Sequence, residues 1–457
     1  MKQTHKCFFF CCALYYYVYF LMSCEWLRGT AFSALLSDFQ KDLTKYVTPK
    51  SGQLLFVIGL FLFYLIVLWI KMSDQARHER IGLRNTLTWR NKCKIILVVL
   101  SIAICVLRWG DIVRIDNLQF GMDGSTDIMV FLIGIILAEI VSNRLILVKE
   151  DRYLFGYISL AFLIPFLATS SLVHSHIQFG YKYYLQTRWT GLWLNPNTYG
   201  LLMGTGLVLA CGMAGLRTLW FPRLKIAVCT IAAGMMGVGL WHSYSRGAWL
   251  AFVCGLSYLG FHAAPFAGHR IVRGAQWIRL NVFAIAIVLC SVVLFGFWQF
   301  QDTEHKVARR LFSIGNMNDF SWRNRVVAWE SALTMIADRP CFGFGWCLSE
   351  PTHDEYYRTT KVETGATQLN DYFTIGTTLG LPALVCFLWY VGLSFRTNPQ
   401  EQGTPYDWSR TTCRAGALVL LVGFWFDGGL FKMATSVPFW ILLELGSAES
   451  PAVKAST

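Results

Sequence analysis

Three arginines from distant parts of the chain stand where their charge matters most. Arg246 lies in the short turn His242-Ser243-Tyr244-Ser245-Arg246-Gly247, between two apolar runs. A cation at the start of a helix opposes the helix dipole, so it calls for an anionic partner, either a protein carboxylate or a ligand. Arg188 opens a second polar stretch, which runs through Asn195-Pro196-Asn197 to Gly200, and Arg325 lies near Arg323 in a third. Guanidinium groups stay charged and grip phosphate oxygens in bidentate fashion, so Arg188, Arg246 and Arg325 on one membrane face suit a diphosphate-bearing lipid. Lysines are scarce at these positions, which weighs against a general anionic-lipid patch. Asn-Pro-Asn also suits the cap of an entering helix, a structural role that explains Asn195 and Asn197 equally well. No Cys-x-x-Cys pair and no Cys/His spacing suggests a metal site. Cys341 and Cys347 could form a disulfide in an oxidising compartment, with two free thiols as the alternative.

The elements that must position these residues follow from composition. Of 457 residues, 55% are hydrophobic and 15% charged, against about 25% charged in ordinary soluble domains. The mean hydropathy of +0.44 and many bilayer-length apolar runs exclude a soluble enzyme. The expected fold is all-α: a polytopic membrane protein of about twelve spans, near 7–24, 53–70, 94–107, 128–148, 153–173, 197–216, 223–242, 248–264, 278–300, 369–394, 414–431 and 434–447. The run from Cys7 to Cys24, rich in tyrosine and without a clear cleavage site, reads as a retained signal anchor. The net charge of +13 is a topology signal rather than a nucleic-acid surface. With the N-terminus in the cytoplasm, 22 of the 40 basic residues fall inside and 18 outside, eight of the latter in the one long segment 301–368. Long loops translocate regardless of charge, so both termini are expected in the cytoplasm. The chain divides into N-terminal spans (1–184), spans with the donor-site motifs (185–300), an outer loop between spans 9 and 10 (301–368) and C-terminal spans (369–457).

Within that loop, Trp322, Val326, Trp329, Leu333 and Ile336 recur at helical spacing, which predicts an amphipathic helix on the membrane surface or the bundle. Arg325 lies about 60° from Trp322 and Arg323 about 100° away on the other side, which makes Arg325 the one to face the protein. A snorkelling arginine is the plain alternative.

Arg188 to Gly200, Ser245-Arg246-Gly247-Ala248, Arg325 to Trp329 with Asp338-Arg339-Pro340-Cys-Phe-Gly343-Phe-Gly345, and Asn370-Asp371-Tyr372 with Leu379-Gly380-Leu381-Pro382 follow one another in an order that resembles the bacterial O-antigen ligase and polymerase superfamily. The resemblance covers roughly 185–385. It implies a GT-C-type glycosyltransferase at the periplasmic face of the inner membrane, taking a glycan from a polyprenyl-diphosphate carrier to a hydroxyl on lipid A core or another glycan. It further implies an inverting reaction with no metal and no cofactor, in which Arg246 and Arg325 stabilise the departing diphosphate. Arg188, Asn195, Asn197, Arg323 and Asn370 are then substrate-site candidates. The partners implied are the lipid-linked donor, a glycolipid or glycan acceptor and membrane lipid, with no nucleic acid.

One departure is chemical. Ligases of this family usually carry a histidine, the favoured base, immediately before the Asn of the last motif; here that position is Leu369. Asp371, Glu363 and His353 are candidates to replace it, or the transfer is dissociative enough to need no early base. Asp371 also reads as a helix cap and His353 as a loop residue. A lipid-linked sugar flippase, which should show broken helices and ionisable groups within the membrane, and a non-catalytic assembly role are the alternatives of other classes.

Overall fold

In lipid each segment must satisfy its own backbone hydrogen bonds, and helices do so. The computed structural model describes residues 57–69, 73, 89–108, 123–142, 181–183, 186–193, 195–215, 222–263, 320–346, 348–357, 370–396, 405–426 and 428–447. In chain order the helices are α1 (Val57–Trp69), α2 (Trp89–Leu107), α3 (Asp123–Ser142), α4 (Pro196–Gly215), α5 (Pro222–His242), α6 (Arg246–Ala263), α7 (Phe320–Asp338), α8 (Asp371–Leu379), α9 (Leu381–Phe395), α10 (Pro405–Phe426) and α11 (Met433–Ser447). The spans expected near 7–24, 153–173 and 278–300 lie outside the described residues.

The all-α expectation holds for the described residues, with one short antiparallel hairpin beside the helices, β1 (Tyr181–Tyr183) and β2 (Gln186–Arg188), paired with Tyr181 opposite Arg188. Two features correct the sequence reading. The run 369–394 is two helices rather than one, because Gly380 adopts φ +87° between α8 and α9 and Pro382 opens the second helix. α10 begins nine residues before the expected span, which draws Arg410 and Arg414 into a helix where both are buried.

α4 is the centre of the bundle: its residues are buried from Pro196 to Gly215 except Asn197, and it packs against α5, α6 and α10. Among the described residues it is the one helix long and apolar enough by itself to cross a bilayer; α1, α9 and residues 226–242 of α5 are shorter apolar helices. Outer helices turn apolar side chains outward, among them Ile66, Ile96, Ile231, Val253, Val385 and Trp389. Charged Lys94, Glu139, Glu444, Arg410 and Arg414 are meanwhile buried. An apolar exterior over a partly polar interior suits a helical membrane protein, where lipid replaces water as the outer solvent.

The inner charges form a defined cluster. Lys94 of α2 donates to Glu139 of α3 and to Glu444 of α11, the latter at 2.6 Å. Tyr390 of α9 donates to Glu444 at 2.6 Å, and Arg90 reaches the second Glu444 oxygen at 3.2 Å. The start of α2 therefore shares one end of the bundle with the ends of α3, α9 and α11. The same end holds Trp408 at the start of α10, which donates to Gly212 near the end of α4 at 2.8 Å. At the other end, α2 finishes beside Trp346, whose indole donates to the Ser101 carbonyl at 3.2 Å.

Replacing Lys94 with methionine leaves two buried carboxylates facing each other without their shared cation. The expected cost is about 3–5 kcal/mol, read as a lower Tm of the purified protein in detergent.

Candidate functional site

The candidate residues gather at the end of the bundle opposite the Lys94 cluster, and backbone contacts fix their places. The hairpin delivers Arg188 to the turn between α5 and α6. Its Nε donates to the Ser243 carbonyl and its Nη2 to the Asn197 side-chain oxygen, both at 2.8 Å. The next residue, Trp189, donates its N–H to the His242 carbonyl at 2.9 Å and stacks its ring on the His242 imidazole, centroids 4.2 Å apart. Asn195 caps α4, its side-chain oxygen accepting from the N–H groups of Asn197 (2.9 Å) and Thr198 (3.2 Å). Of the two asparagines, Asn195 thus has the structural role considered for both, while Asn197 holds Arg188.

Arg246 is the first residue of α6. Ser245 caps that helix by accepting the Ala248 N–H at 3.3 Å, and the preceding Tyr244 takes φ +49° to make the turn. Arg246 is half-buried, and Leu250 lies one turn further along the same face.

Arg325 follows the same plan on α7. It is half-buried, and one turn on Trp329 packs its ring 5.7 Å from Trp425 of α10 and 6.4 Å from Phe373 of α8. The helix itself matches the sequence expectation, but its buried face does not. Ala328, Ser331, Ala332, Met335 and Ile336 face the protein, while Leu333, placed in the apolar stripe, is 54% exposed. Gly376 of α8 lets α7 approach closely, since a Cβ there would sit 2.6 Å from Ile336 Cδ1. The side chains of Trp322 and Arg323 lie outside the described residues.

The run after α7 is stitched to the break between α8 and α9. Phe344 N–H donates to Thr377 O at 2.8 Å, Gly345 N–H to Thr378 O at 3.0 Å, and Leu381 N–H to Pro340 O at 2.7 Å. Gly343 (φ +58°) and Gly380 (φ +87°) are needed at this seam: a Cβ on either would come within 2.5 Å of a backbone oxygen, of Thr377 and Cys341 respectively. Cys341 is an exposed free thiol, and Cys347 lies outside the described residues.

Asn370 caps α8, accepting from Tyr372 N–H (2.9 Å) and Phe373 N–H (3.4 Å). The Asp371 carboxylate is buried and accepts the Leu430 N–H at 2.7 Å, which ties α8 to the connection between α10 and α11. His353 is also buried, with its Nδ1 3.3 Å from Asp354. It belongs to a short π-helical turn, His353–Tyr357, clipped to the later turns of α7 through Tyr357, which donates to Asp338, while Ser331 donates to the Tyr357 carbonyl at 3.2 Å. Arg325 is in the first two turns of that helix. Glu363 and Leu369 lie outside the described residues.

Between α6, α8, α9 and α10 an open groove of about 580 Å³ is lined by Leu250, Tyr372, Phe373, Leu388, Trp425 and other apolar residues. Leu250 is the residue one turn from Arg246. Trp425 and Phe373 are the ring partners of Trp329, one turn from Arg325. Both arginines are thus tied to one apolar groove, each a helical turn from a residue that lines it or packs on its lining. Sequence reading missed this groove because its walls come from four helices. Among the described residues no cluster of three His, Cys, Asp or Glu side chains could hold a metal ion.

Residues 231–388 match the model of the family described as O-antigen ligase. That segment is an O-antigen ligase family domain. It contains Arg246, Arg325, Asn370 and Asp371, whereas Arg188, Asn195 and Asn197 precede it. No curated protein matches the chain. The match covers about a third of the chain and supports a function in ligase- or polymerase-like glycan transfer.

Within the domain, Gly343→Ala and Gly380→Ala are each expected to cost at least about 1–3 kcal/mol from backbone strain alone. Differential scanning of the detergent-solubilised protein measures this as a fall in Tm.

Proposed function

We propose that this protein is a metal-independent, inverting glycosyltransferase of the O-antigen ligase type, moving a glycan from a polyprenyl-diphosphate carrier to an acceptor hydroxyl on lipid A core or another glycan. It works at the periplasmic face of the inner membrane, in a chain of about twelve spans with both termini in the cytoplasm. The observation that carries this reading is the apolar groove with Arg246 and Arg325 each one helical turn from its lining, inside the O-antigen ligase segment. An isoprenoid chain fits an apolar, aromatic-lined groove open at its side, and the diphosphate it bears needs cations at the groove's end.

The acceptor oxygen attacks the anomeric carbon from the face opposite the diphosphate. The bond from that carbon to the phosphate oxygen breaks, and its electron pair leaves with the diphosphate. Negative charge on the leaving group grows toward the transition state, so arginines aimed at it stabilise that state more than the bound substrate. Arg188, held to Ser243 and Asn197, fixes the turn from which Arg246 projects.

Ligase and polymerase differ in acceptor. Loss of long glycan from the lipid anchor in a deletion strain that still makes polymer identifies a ligase, and accumulation of single repeat units a polymerase. A transport reading draws on the buried Lys94-Glu139-Glu444 cluster and the helix break at Gly380. Altered movement of a labelled lipid-linked sugar across the membrane, with an unchanged glycolipid profile, would favour it.

In a reconstituted assay containing a chelator, the wild type is expected to transfer glycan at full rate. Arg246→Ala and Arg325→Ala should each lower kcat about 10²–10³-fold, and wild-type rates in both variants would overturn the mechanism.

A further inference from the structure

The position that holds the favoured base in related ligases is Leu369 here, and leucine moves no proton. Of the other candidates from the sequence, Glu363 lies outside the described residues and two are already engaged. Asp371 is buried and its carboxylate accepts the Leu430 N–H, and His353 is buried with its Nδ1 at Asp354.

His242 is placed differently. It is the last residue of α5, in the same turn as Arg246 and four residues before it, and it is only partly buried. Trp189 stacks on its ring with planes 17° apart, Tyr244 meets it at right angles with centroids 6.3 Å apart, and its carbonyl is bonded to the Trp189 N–H. The ring is therefore held from two sides by aromatic contacts alone. Among the described residues neither ring nitrogen has a hydrogen-bond partner, and neither is a buried unsatisfied atom. A rigidly held imidazole with its nitrogens open, in the same turn as Arg246, is placed to accept a proton from a substrate bound there.

We propose that His242 is the general base of the transfer, taking over the role that Leu369 does not fill. This rests on the glycosyltransferase reading above. As the acceptor oxygen bonds to the anomeric carbon, its proton passes to an open nitrogen of His242, and the electron pair of the breaking carbon–oxygen bond departs on the diphosphate. The imidazolium then returns its proton to solvent. The charged and titratable groups about the ring are Arg188 on the hairpin, Tyr244 and Arg246 in its own turn, and Tyr199 of α4, which packs against Gly239 one turn back on α5.

The test uses full-length protein in liposomes, a polyprenyl-diphosphate-linked oligosaccharide labelled in its glycan, and either lipid A core or a second lipid-linked repeat unit as acceptor. The variants are His242→Phe, which keeps a ring to stack on Trp189, and His242→Gln, which keeps a polar side chain. Both are expected to lose about 10²-fold or more in kcat with KM for the donor little changed. The wild-type rate should fall on the acid side as the imidazole protonates, and this acid limb should vanish from the variants' residual activity. Wild-type kcat in His242→Phe would show that the ring is only a spacer and overturn the assignment. A wild-type profile with no acid limb would overturn it even if both variants failed to fold. No transfer by the wild type to either acceptor would overturn the glycosyltransferase reading itself, and the base with it.

Discussion

A lysine ammonium with none of its surface exposed must have its charge met inside the protein, and that requirement organises one whole end of this bundle. Lys94 meets Glu139 and Glu444, and Glu444 in turn takes Tyr390 and Arg90. Two cations and two carboxylates balance, so the cluster is neutral, and it binds α2, α3, α9 and α11 at a common level. Desolvation makes such a cluster a poor source of net stability but a strict one of register, because any helix that slips by a turn strands a charge. α9 is one of the four, and its start adjoins the break at Gly380 that borders the candidate site.

That site is assembled by backbone bonds more than by side-chain ones. The hairpin hangs on the α5–α6 turn through Arg188 and Trp189, and the run from Pro340 to Gly345 is laced to the break between α8 and α9. Arg246 and Arg325 are left half-buried, each a helical turn from a residue that lines an apolar groove or packs on its lining. A lipid-borne substrate suits this division, in which the chain lies among apolar side chains and its charged head reaches the arginines.

Much of this was legible in the residues. Helical periodicity marked α7 as a helix within a long connection, and the isolated Arg246 between apolar runs pointed to an anion. The family order of Arg188, Arg246, Arg325 and Asn370 was likewise visible, and the segment match covers the last three. The buried face of α7 was legible only in part: Ile336 is buried against Gly376 of α8 while Leu333 is exposed, and a hydropathy pattern along one helix does not show where its partner lies. Nor was the role of Asp371, whose partner Leu430 is 59 residues away.

The sequence by itself determined the class of protein, since a chain with so little charge and so many long apolar runs folds as helices in lipid. It also singled out the arginines proposed to carry the chemistry, since local spacing and side-chain type are enough to mark an arginine at a helix start. Tertiary structure alone decided which of them meet. Lys94 finds Glu444 across 350 residues, and Arg246 and Arg325 each come within a helical turn of a residue that lines, or packs on the lining of, a groove walled by four helices. His242 becomes a candidate base only because Trp189, from a hairpin no periodicity announced, fixes its ring. Periodicity describes one helix at a time, whereas pairing and stacking depend on how several helices come to rest against each other.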